Sequence, residues 1–386
     1  MPFSLPYIFL VLILGGLAVW YHVASEDISR RRVVAVCFLI FVFFFGFRGF
    51  IFYDWVSYYP AFQNLKYTFS DVLTFQAGEA ALEPGFSLLM AGCKGIYDNY
   101  QFFVLVCCLL NMVLLFRFLG KYTQNIPLAL VVFLCMGGIG MSTDMMRNSI
   151  SILIFANSLE FIRDRRPLPF FLLCLLGMTF HLSAILYLPM YFFLHRKLNK
   201  WIFLGIFLAA NVVYLLQIPL LKSLILFIVG FVSPALKLKM KTYLEMDAGV
   251  FRLSIGYLER LFTGGLVFLY YEKLVSCRKC NTIFINCILI YLTVFLIFSD
   301  FSTVAFRLST LFVCAYWVIW LDFISCFAIP GNRMLYIVFL CLYSLLKVNG
   351  VCGNPIAEYE NVLFGSRNYT ERYIIFKRNY NDIKKQ

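Results

Sequence analysis

Charged residues are scarce in this chain, and their scarcity excludes most soluble classes of protein. Only 14% of the 386 residues are charged and 62% are hydrophobic, whereas ordinary soluble domains carry roughly 25% charged residues. Acidic residues are fewer than basic ones: 20 Asp and Glu against 33 Lys and Arg leave a formal net charge of +13. The composition therefore predicts a polytopic membrane protein rather than a large globular core.

Motifs for nucleotide and metal chemistry are also missing. The sequence holds no GxxxxGK-S/T phosphate loop and no HExxH, so we expect no ATP, no metal ion and no cofactor. The single CxxC at Cys277 and Cys280 has no second pair and no neighbouring His to complete a zinc site. Because the basic residues are not gathered into an extramembrane domain, the positive charge predicts anionic lipid or substrate partners and no nucleic acid.

Apolar windows occupy most of the chain from residue 5 to residue 349. A helix needs about 20 apolar residues to span a bilayer. We predict an all-α, polytopic integral membrane bundle of about 11–12 transmembrane helices, some of them short or broken, that forms a single membrane domain over residues 1–386. Lys and Arg in the short loops place the N-terminus outside.

Three segments are expected to lie outside the apolar core of the membrane. Residues 53–84 form a first outer loop, residues 219–254 form a second outer loop with a re-entrant segment, and residues 350–386 form the C-terminal tail. The second loop and the tail contain basic residues, which the positive-inside rule prefers inside. One crossing more or fewer after residue 219 would remove both conflicts.

Residues 167–194 pose a problem of length. Both flanks are basic and should lie inside, yet the segment is too short for two full crossings. Two short helices that meet near Phe180 and His181 satisfy the charges, because half-length helices are tolerated where they line a protein-enclosed cavity. A single long helix over 167–194 would contradict this prediction.

Several cationic or titratable side chains within or beside the apolar windows are candidate functional residues, because a charge near the bilayer centre costs about 2.5–3.5 kcal/mol on insertion scales. They are Arg48, Arg147, His181, Arg260 and Arg307. Arg147, followed by Asn148, opens a helix whose first amides can converge with the guanidinium on a phosphate. The alternatives are an Arg147 that snorkels to lipid headgroups, a hydrogen-bonded structural His181, and an Arg260 paired with Glu259.

Acidic and aromatic side chains concentrate in the first outer loop. Asp54 is followed by Tyr58 and Tyr59, and Glu83 lies near the end of the loop. Aromatic rings cover the apolar faces of sugars and carboxylates bind their hydroxyls, so the loop is a candidate sugar-binding surface. The alternative is a solvated loop whose aromatic residues belong to the interfacial belt.

A series of short motifs runs over roughly residues 40–365. In order they are Phe47-Arg48-Gly49, Tyr53-Asp54, Tyr58-Tyr59, Glu83-Pro84-Gly85-Phe86, Arg147-Asn148, Phe180-His181-Leu182-Ser183-Ala184, Arg307 and Asn354-Pro355. This order resembles the EpsG family of exopolysaccharide proteins, which look like Wzy-type polysaccharide polymerases. The single motifs are short, and their order and spacing carry the resemblance.

The resemblance implies a reaction and its partners. A growing glycan would move from undecaprenyl diphosphate to a lipid-linked repeat unit at the outer face of the bacterial inner (plasma) membrane, for O-antigen, capsule or exopolysaccharide synthesis. Donor and acceptor would both be undecaprenyl-diphosphate-linked oligosaccharides, in a membrane lipid setting and with a chain-length regulator protein as a further partner. The reaction would be that of a metal-independent glycosyltransferase.

The resemblance also implies residue roles. The arginines would bind the diphosphate and stabilise the leaving group, and His181 would activate the acceptor hydroxyl, with Asp54 or Glu83 as competing bases. The catalytic set is then His181, Arg147, Arg307 and Asp54, and the substrate-binding set is Arg48, Glu83, Asn148, Arg260, Tyr58 and Tyr59.

Two other functions compete with a polymerase. A flippase for the same lipid-linked oligosaccharide should show two related halves and charges along a central cavity. The sequence shows no obvious half-to-half repeat, and the candidate residues cluster toward the outer face. An O-antigen ligase of similar architecture is not separated from a polymerase by these patterns.

Overall fold

The computed structural model describes residues 3–24, 26–74, 82–232, 241 and 253–383, and this part of the chain is all-helical. An isolated antiparallel bridge joins Arg48 to Asn361. The predicted all-α class is confirmed. The chain divides into two compact units, Met1–Tyr191 with Phe327–Gln386, and Phe192–Cys326. The prediction of one domain over the whole chain stays a prediction.

The α-helices are numbered here in chain order. Before residue 181 they are α1 Leu5–Val23, α2 Asp27–Phe41, α3 Trp55–Gln63, α4 Phe69–Leu73, α5 Pro84–Ile96, α6 Tyr100–Tyr122, α7 Ile126–Phe133, α8 Ile139–Thr143, α9 Met146–Arg163 and α10 Pro167–Phe180. After residue 181 they are α11 Met190–Phe193, α12 Lys200–Leu215, α13 Leu220–Val232, α14 Ile255–Leu269, α15 Tyr271–Cys277, α16 Asn281–Ile297, α17 Ser302–Thr310, α18 Cys314–Cys326, α19 Pro330–Cys352 and α20 Tyr369–Ile383. Short π-helical turns lie at Val42–Gly46 and Leu134–Gly138, and 3-10 turns at Leu182–Tyr187 and Pro355–Ala357.

Local sequence explains where several helices of the first unit begin. The side chains of Asn99 and Asn125 accept hydrogen bonds from first-turn amides of α6 and α7, which is the usual role of an N-cap asparagine. Proline opens α5 and α10. It is favoured there because an amide at the first helical position would have no partner within the helix.

Among the described residues, four helical stretches are long and apolar enough to cross a membrane: α1, α6, α19, and Ile126–Thr143, which contains α7 and α8. Two strongly bent pairs raise the number to six if each pair is one span; they are Lys200–Leu215 with Leu220–Leu226, bent by 78°, and Ser302–Thr310 with Cys314–Cys326, bent by 67°. The chain is therefore a multi-pass membrane protein. The larger sequence-based number counted every apolar window, and the structure divides several windows into shorter helices.

The helix break predicted within residues 167–194 is confirmed. α10 ends at Phe180, His181 has an extended backbone (φ −155°, ψ 124°), and a 3-10 turn follows. A single long helix over this segment is therefore excluded. The side of the membrane on which each flank lies stays a prediction.

The predicted outer loops contain helices of their own. The first, 53–84, holds α3 and α4, and its residues 75–81 lie outside the described residues. The second begins with α13, and residues 233–240 and 242–252 of it also lie outside the described residues. The bend before α13 fits the expected re-entrant segment and fits a broken span equally well.

The C-terminal tail folds back onto the segment that follows α2. Backbone hydrogen bonds join residues 47–49 to residues 360–362. Arg372 in α20 is buried and donates to the Phe50 carbonyl at 2.7 Å and to the Glu358 carboxylate at 2.9 Å. The tail is thus an integral part of the first unit rather than a loose basic end.

Candidate functional site

Arg147 lies in the first turn of α9 and is held there by two side chains from elsewhere in the first unit. Its Nε donates to the Tyr58 hydroxyl at 2.7 Å, and its Nη1 forms an ion pair with Glu83. The side chains of Arg147 and Glu83 are 27% and 20% exposed, so the pair is partly accessible. A guanidinium has five N–H donors, and these two contacts use two of them.

Glu83 reaches Arg147 because α5 begins in close contact with the end of α10. A Cβ added at Gly85 would lie 2.3 Å from Thr179 Oγ1 and 3.0 Å from the Thr179 carbonyl oxygen, so the approach requires glycine. The Oε1 atom of Glu83 accepts a 3.4 Å hydrogen bond from the Leu182 amide. This packing places one carboxylate between the guanidinium and the turn that follows α10.

Hydrogen bonds set the ionisation of the pair and its neighbour. Burial raises the pKa of Glu83, but hydrogen bonds from its own amide and from Arg147 outweigh burial and bring that pKa below its usual value. Glu83 is therefore an ionised carboxylate at neutral pH. Burial and the nearby Asp54 raise the pKa of Tyr58 to about 12, so the Tyr58 hydroxyl keeps its proton while it accepts from Arg147.

His181 turns back toward its own 3-10 turn. Its Nδ1 lies 2.7 Å from Ser183 Oγ and accepts a 3.2 Å hydrogen bond from the Ser183 amide. Ser183 Oγ also lies 3.3 Å from Asn148 Oδ1, which links the turn to α9. Because Nδ1 accepts from an amide, the neutral imidazole carries its proton on Nε2. In this arrangement Nε2 of His181 is a hydrogen-bond donor.

Asp144, which sequence reasoning did not select, joins the half-buried Asp54 in the same region. Asp144 Oδ1 accepts from the amides of Tyr53 and Asp54 at 2.7 and 3.1 Å. Burial and the nearby Asp144 raise the pKa of Asp54 to about 7, and burial raises that of Asp144 to about 6. The one sequence signal for Asp144 was its position, three residues before Arg147.

Arg48 and Tyr59, two predicted substrate-binding residues, are engaged with protein groups. Arg48 is 3% exposed and donates from Nε and Nη2 to the carbonyls of Ser142 and Thr143 at 3.2 and 3.1 Å. Tyr59 stacks on Tyr369 with ring centroids 4.5 Å apart. These contacts do not involve the ion pair on α9, and the substrate-binding roles of both residues stay predictions.

Arg260 and Arg307 belong to the second compact unit. Arg260 is buried and donates from Nη1 to the Gly256 carbonyl at 2.6 Å. Its guanidinium carbon lies 3.6 Å from the centre of the Phe295 ring, which is a cation–π contact. Arg307 is exposed on α17. The anion-binding roles of both arginines stay predictions.

Within the described part of the chain, no three His, Cys, Asp or Glu side chains gather closely enough to hold a metal ion. Guanidinium groups lie beside carboxylates of the site. Arg147 pairs with Glu83, and Arg48 lies near Asp54 and Asp144 and lowers the pKa of both. Chemistry without a metal or cofactor stays a prediction.

Comparison with known proteins identifies a family. No curated protein and no solved structure matches the chain. The model of the EpsG family matches residues 31–361, a range that includes every candidate residue from Arg48 to Arg307. This family is associated with exopolysaccharide synthesis. Since the match covers most of the sequence, the chain belongs to the EpsG family.

Proposed function

We propose that this protein is a polysaccharide polymerase at the outer face of the bacterial plasma membrane. It moves a growing glycan from undecaprenyl diphosphate to a lipid-linked repeat unit. The observation that carries the proposal is the partly exposed ion pair of Arg147 and Glu83 at the start of α9. The Tyr58 hydroxyl binds one end of the pair and the Leu182 amide binds the other.

Arg147 supplies what the leaving group requires. When the bond between the anomeric carbon and the diphosphate oxygen breaks, negative charge grows on the diphosphate, and preorganised cations stabilise it. A guanidinium can donate two parallel hydrogen bonds to a phosphate, and Arg147 has N–H groups beyond those bound by Tyr58 and Glu83. Because Tyr58 already fixes Nε, little ordering of the side chain is needed when substrate binds.

Glu83 serves the acceptor side of the same reaction. The acceptor hydroxyl oxygen attacks the anomeric carbon, its proton passes to a carboxylate, and the diphosphate departs with the electrons of the broken bond. Glu83 is ionised at neutral pH and lies beside the His181 turn. His181, with its proton on Nε2, donates a hydrogen bond to a sugar or phosphate oxygen. Asp54, with a pKa of about 7, is the competing base.

Replacement of Arg147 tests the proposal. We expect Arg147→Lys and Arg147→Ala to abolish polymer, because lysine cannot make the two-pronged phosphate contact. Loss of one such transition-state donor costs about 10²–10³-fold in rate. Arg163→Lys is the matched control, since Arg163 lies at the exposed end of the same helix and pairs with Asp164. The measurement is gel separation of surface glycans from cells that lack the chromosomal gene and carry each variant.

The distribution of repeat units separates the candidate functions. Single units at the surface without a ladder would mean that export works and polymerisation has failed, as the proposal requires. Units trapped inside would indicate a flippase, and full-length polymer left on its lipid carrier would indicate a ligase. A normal ladder from both Arg147 variants would overturn Arg147 as the anion site.

A further inference from the structure

An acidic residue before one helix accepts hydrogen bonds from the residues that begin another. Asp144, just before α9, accepts from the amides of Tyr53 and Asp54, just before α3, at 2.7 and 3.1 Å. Carboxylates stabilise helix starts because the first amides have no helical partner and the helix dipole is positive there.

The two helices that Asp144 connects, α3 and α9, carry the two partners of one hydrogen bond. Tyr58 lies near the start of α3 and Arg147 near the start of α9, and the Tyr58 hydroxyl lies 2.7 Å from Arg147 Nε. A shift of either helix start by about 1 Å would break this bond, because N–H···O bonds seldom exceed about 3.2 Å. The hydrogen bonds that Asp144 accepts from the Tyr53 and Asp54 amides therefore fix the direction of the guanidinium.

We propose that Asp144 is a positioning residue: through the amides of Tyr53 and Asp54 it holds the Tyr58 segment against α9 and so directs Arg147 toward the leaving diphosphate. The assignment rests on the polymerase function proposed above. Asp144 acts through Arg147 and does not touch the substrate.

The contacts of Asp144 indicate which of its properties positions Arg147. Burial raises its pKa to about 6, and the hydrogen bonds from the Tyr53 and Asp54 amides and the nearby Arg48 offset only part of that cost. Both contacts of its Oδ1 are to neutral amides. A carbonyl oxygen can accept from two amides because it has two lone pairs. The hydrogen bonds, rather than the negative charge, are therefore the property that positions Arg147.

Three single variants test this assignment in purified protein, with the lipid-linked repeat unit extracted from a gene-deletion strain as donor and acceptor. Asp144→Leu removes the acceptor at similar size, and we expect kcat to fall about 100-fold, the order that a 1 Å misplacement costs, with KM changing less. Asp144→Asn keeps an acceptor oxygen and should retain kcat within about tenfold. Asp98→Leu is the matched control, since Asp98 is 63% exposed, and should retain the wild-type kcat.

A double variant separates positioning from folding. In an Arg147→Lys background, Asp144→Leu should lower the residual kcat by less than about threefold, because a residue that acts through the guanidinium then has nothing to direct. A general structural defect would instead lower kcat by a similar factor in both backgrounds. Circular dichroism and thermal unfolding in detergent establish that each variant is folded.

The remaining outcomes distinguish failure of the positioning role from failure of the polymerase function. A wild-type kcat in Asp144→Leu, or a folded Asp144→Asn as inactive as Asp144→Leu, would overturn the positioning role alone. If Asp144→Leu does not fold, the kcat of Asp144→Asn decides by the same tenfold limit. Failure of the wild-type protein to extend the lipid-linked unit would overturn the polymerase function and the positioning role with it.

Discussion

The two half-buried carboxylates of the site, Asp54 and Asp144, couple the stability of the first compact unit to pH. Burial and the nearby Asp144 raise the pKa of Asp54 from 3.8 to about 7, so the folded protein binds this proton more tightly than the unfolded chain does. Between about pH 4 and pH 7 the folded state therefore holds more protons. The free energy of unfolding falls as pH rises through this window and levels off above it.

Asp54→Asn should remove most of this pH dependence. At about 1.36 kcal/mol per pKa unit, the ionised carboxylate costs the folded state up to about 4 kcal/mol above pH 7. We expect the variant to be more stable than the wild type at about pH 8 and nearly equal to it at about pH 4.5, because the wild-type group is then protonated. Thermal unfolding in detergent at both pH values measures the stability of the variant and the wild type. Asp98→Asn is the control, because Asp98 is exposed. An unchanged decline with pH in Asp54→Asn would refute the coupling.

The sequence singles out individual residues of the site but not the contacts between them. Arg147 and Glu83 are conspicuous in the sequence because charges are rare in an apolar chain. Their pairing was not predicted, since it depends on the approach of Gly85 to Thr179, and that tertiary contact leaves no pattern in the sequence. Asp144 was missed because an aspartate before a helix is ordinarily read as a local cap.

The junction between α5 and α10 is the contact between elements on which the ion pair depends. Gly85→Ala would place a Cβ 2.3 Å from Thr179 Oγ1, and overpacking of this kind costs about 1–3 kcal/mol. Because relief requires the helices to separate, Glu83 would move away from Arg147. We expect folded, membrane-inserted protein without a glycan ladder. Gly95→Ala, on the same helix with no atom within 4 Å of the added Cβ, should leave the ladder intact; a ladder from Gly85→Ala would show that the junction tolerates a methyl group.

The C-terminal helix α20 holds the segment after α2 through one arginine. Arg372 is 2% exposed and binds the Phe50 carbonyl and both the carbonyl and the carboxylate of Glu358. Loss of its donor from a buried carbonyl costs about 1–3 kcal/mol, so Arg372→Ala should lower stability by that order and speed hydrogen exchange over residues 47–52. Arg378→Ala, exposed on the same helix, is the control. Equal exchange in both variants would mean that other contacts hold the segment.

At the scale of the molecule, composition predicted the multi-pass class, and the apolar windows predicted more full-length spans than the four to six found among the described residues. Hydropathy windows count apolar residues but do not detect backbone breaks, such as the one at Gly137 (φ 91°) within the stretch that joins α7 and α8. They also do not recognise polar side chains that are satisfied inside the protein. Ser149 and Ser158 are fully buried in α9 and donate to backbone carbonyls one turn earlier.

The orientation of the whole molecule decides whether the site can meet its proposed substrate. The positive-inside rule places residues 53–84 outside and the basic turn at residues 163–166 inside. Ser70 and Asp164 are exposed in these two segments. We expect a membrane-impermeant maleimide to label Ser70→Cys in spheroplasts and Asp164→Cys only after lysis. Peptide mapping by mass spectrometry distinguishes these positions from the native cysteines.

The reverse pattern, with Asp164→Cys labelled in spheroplasts and Ser70→Cys protected, would place residues 53–84 inside. Glu83 would then lie in the compartment where repeat units are assembled before export, and polymerisation at the outer face would be excluded. The expected pattern gives the ion pair access to exported units.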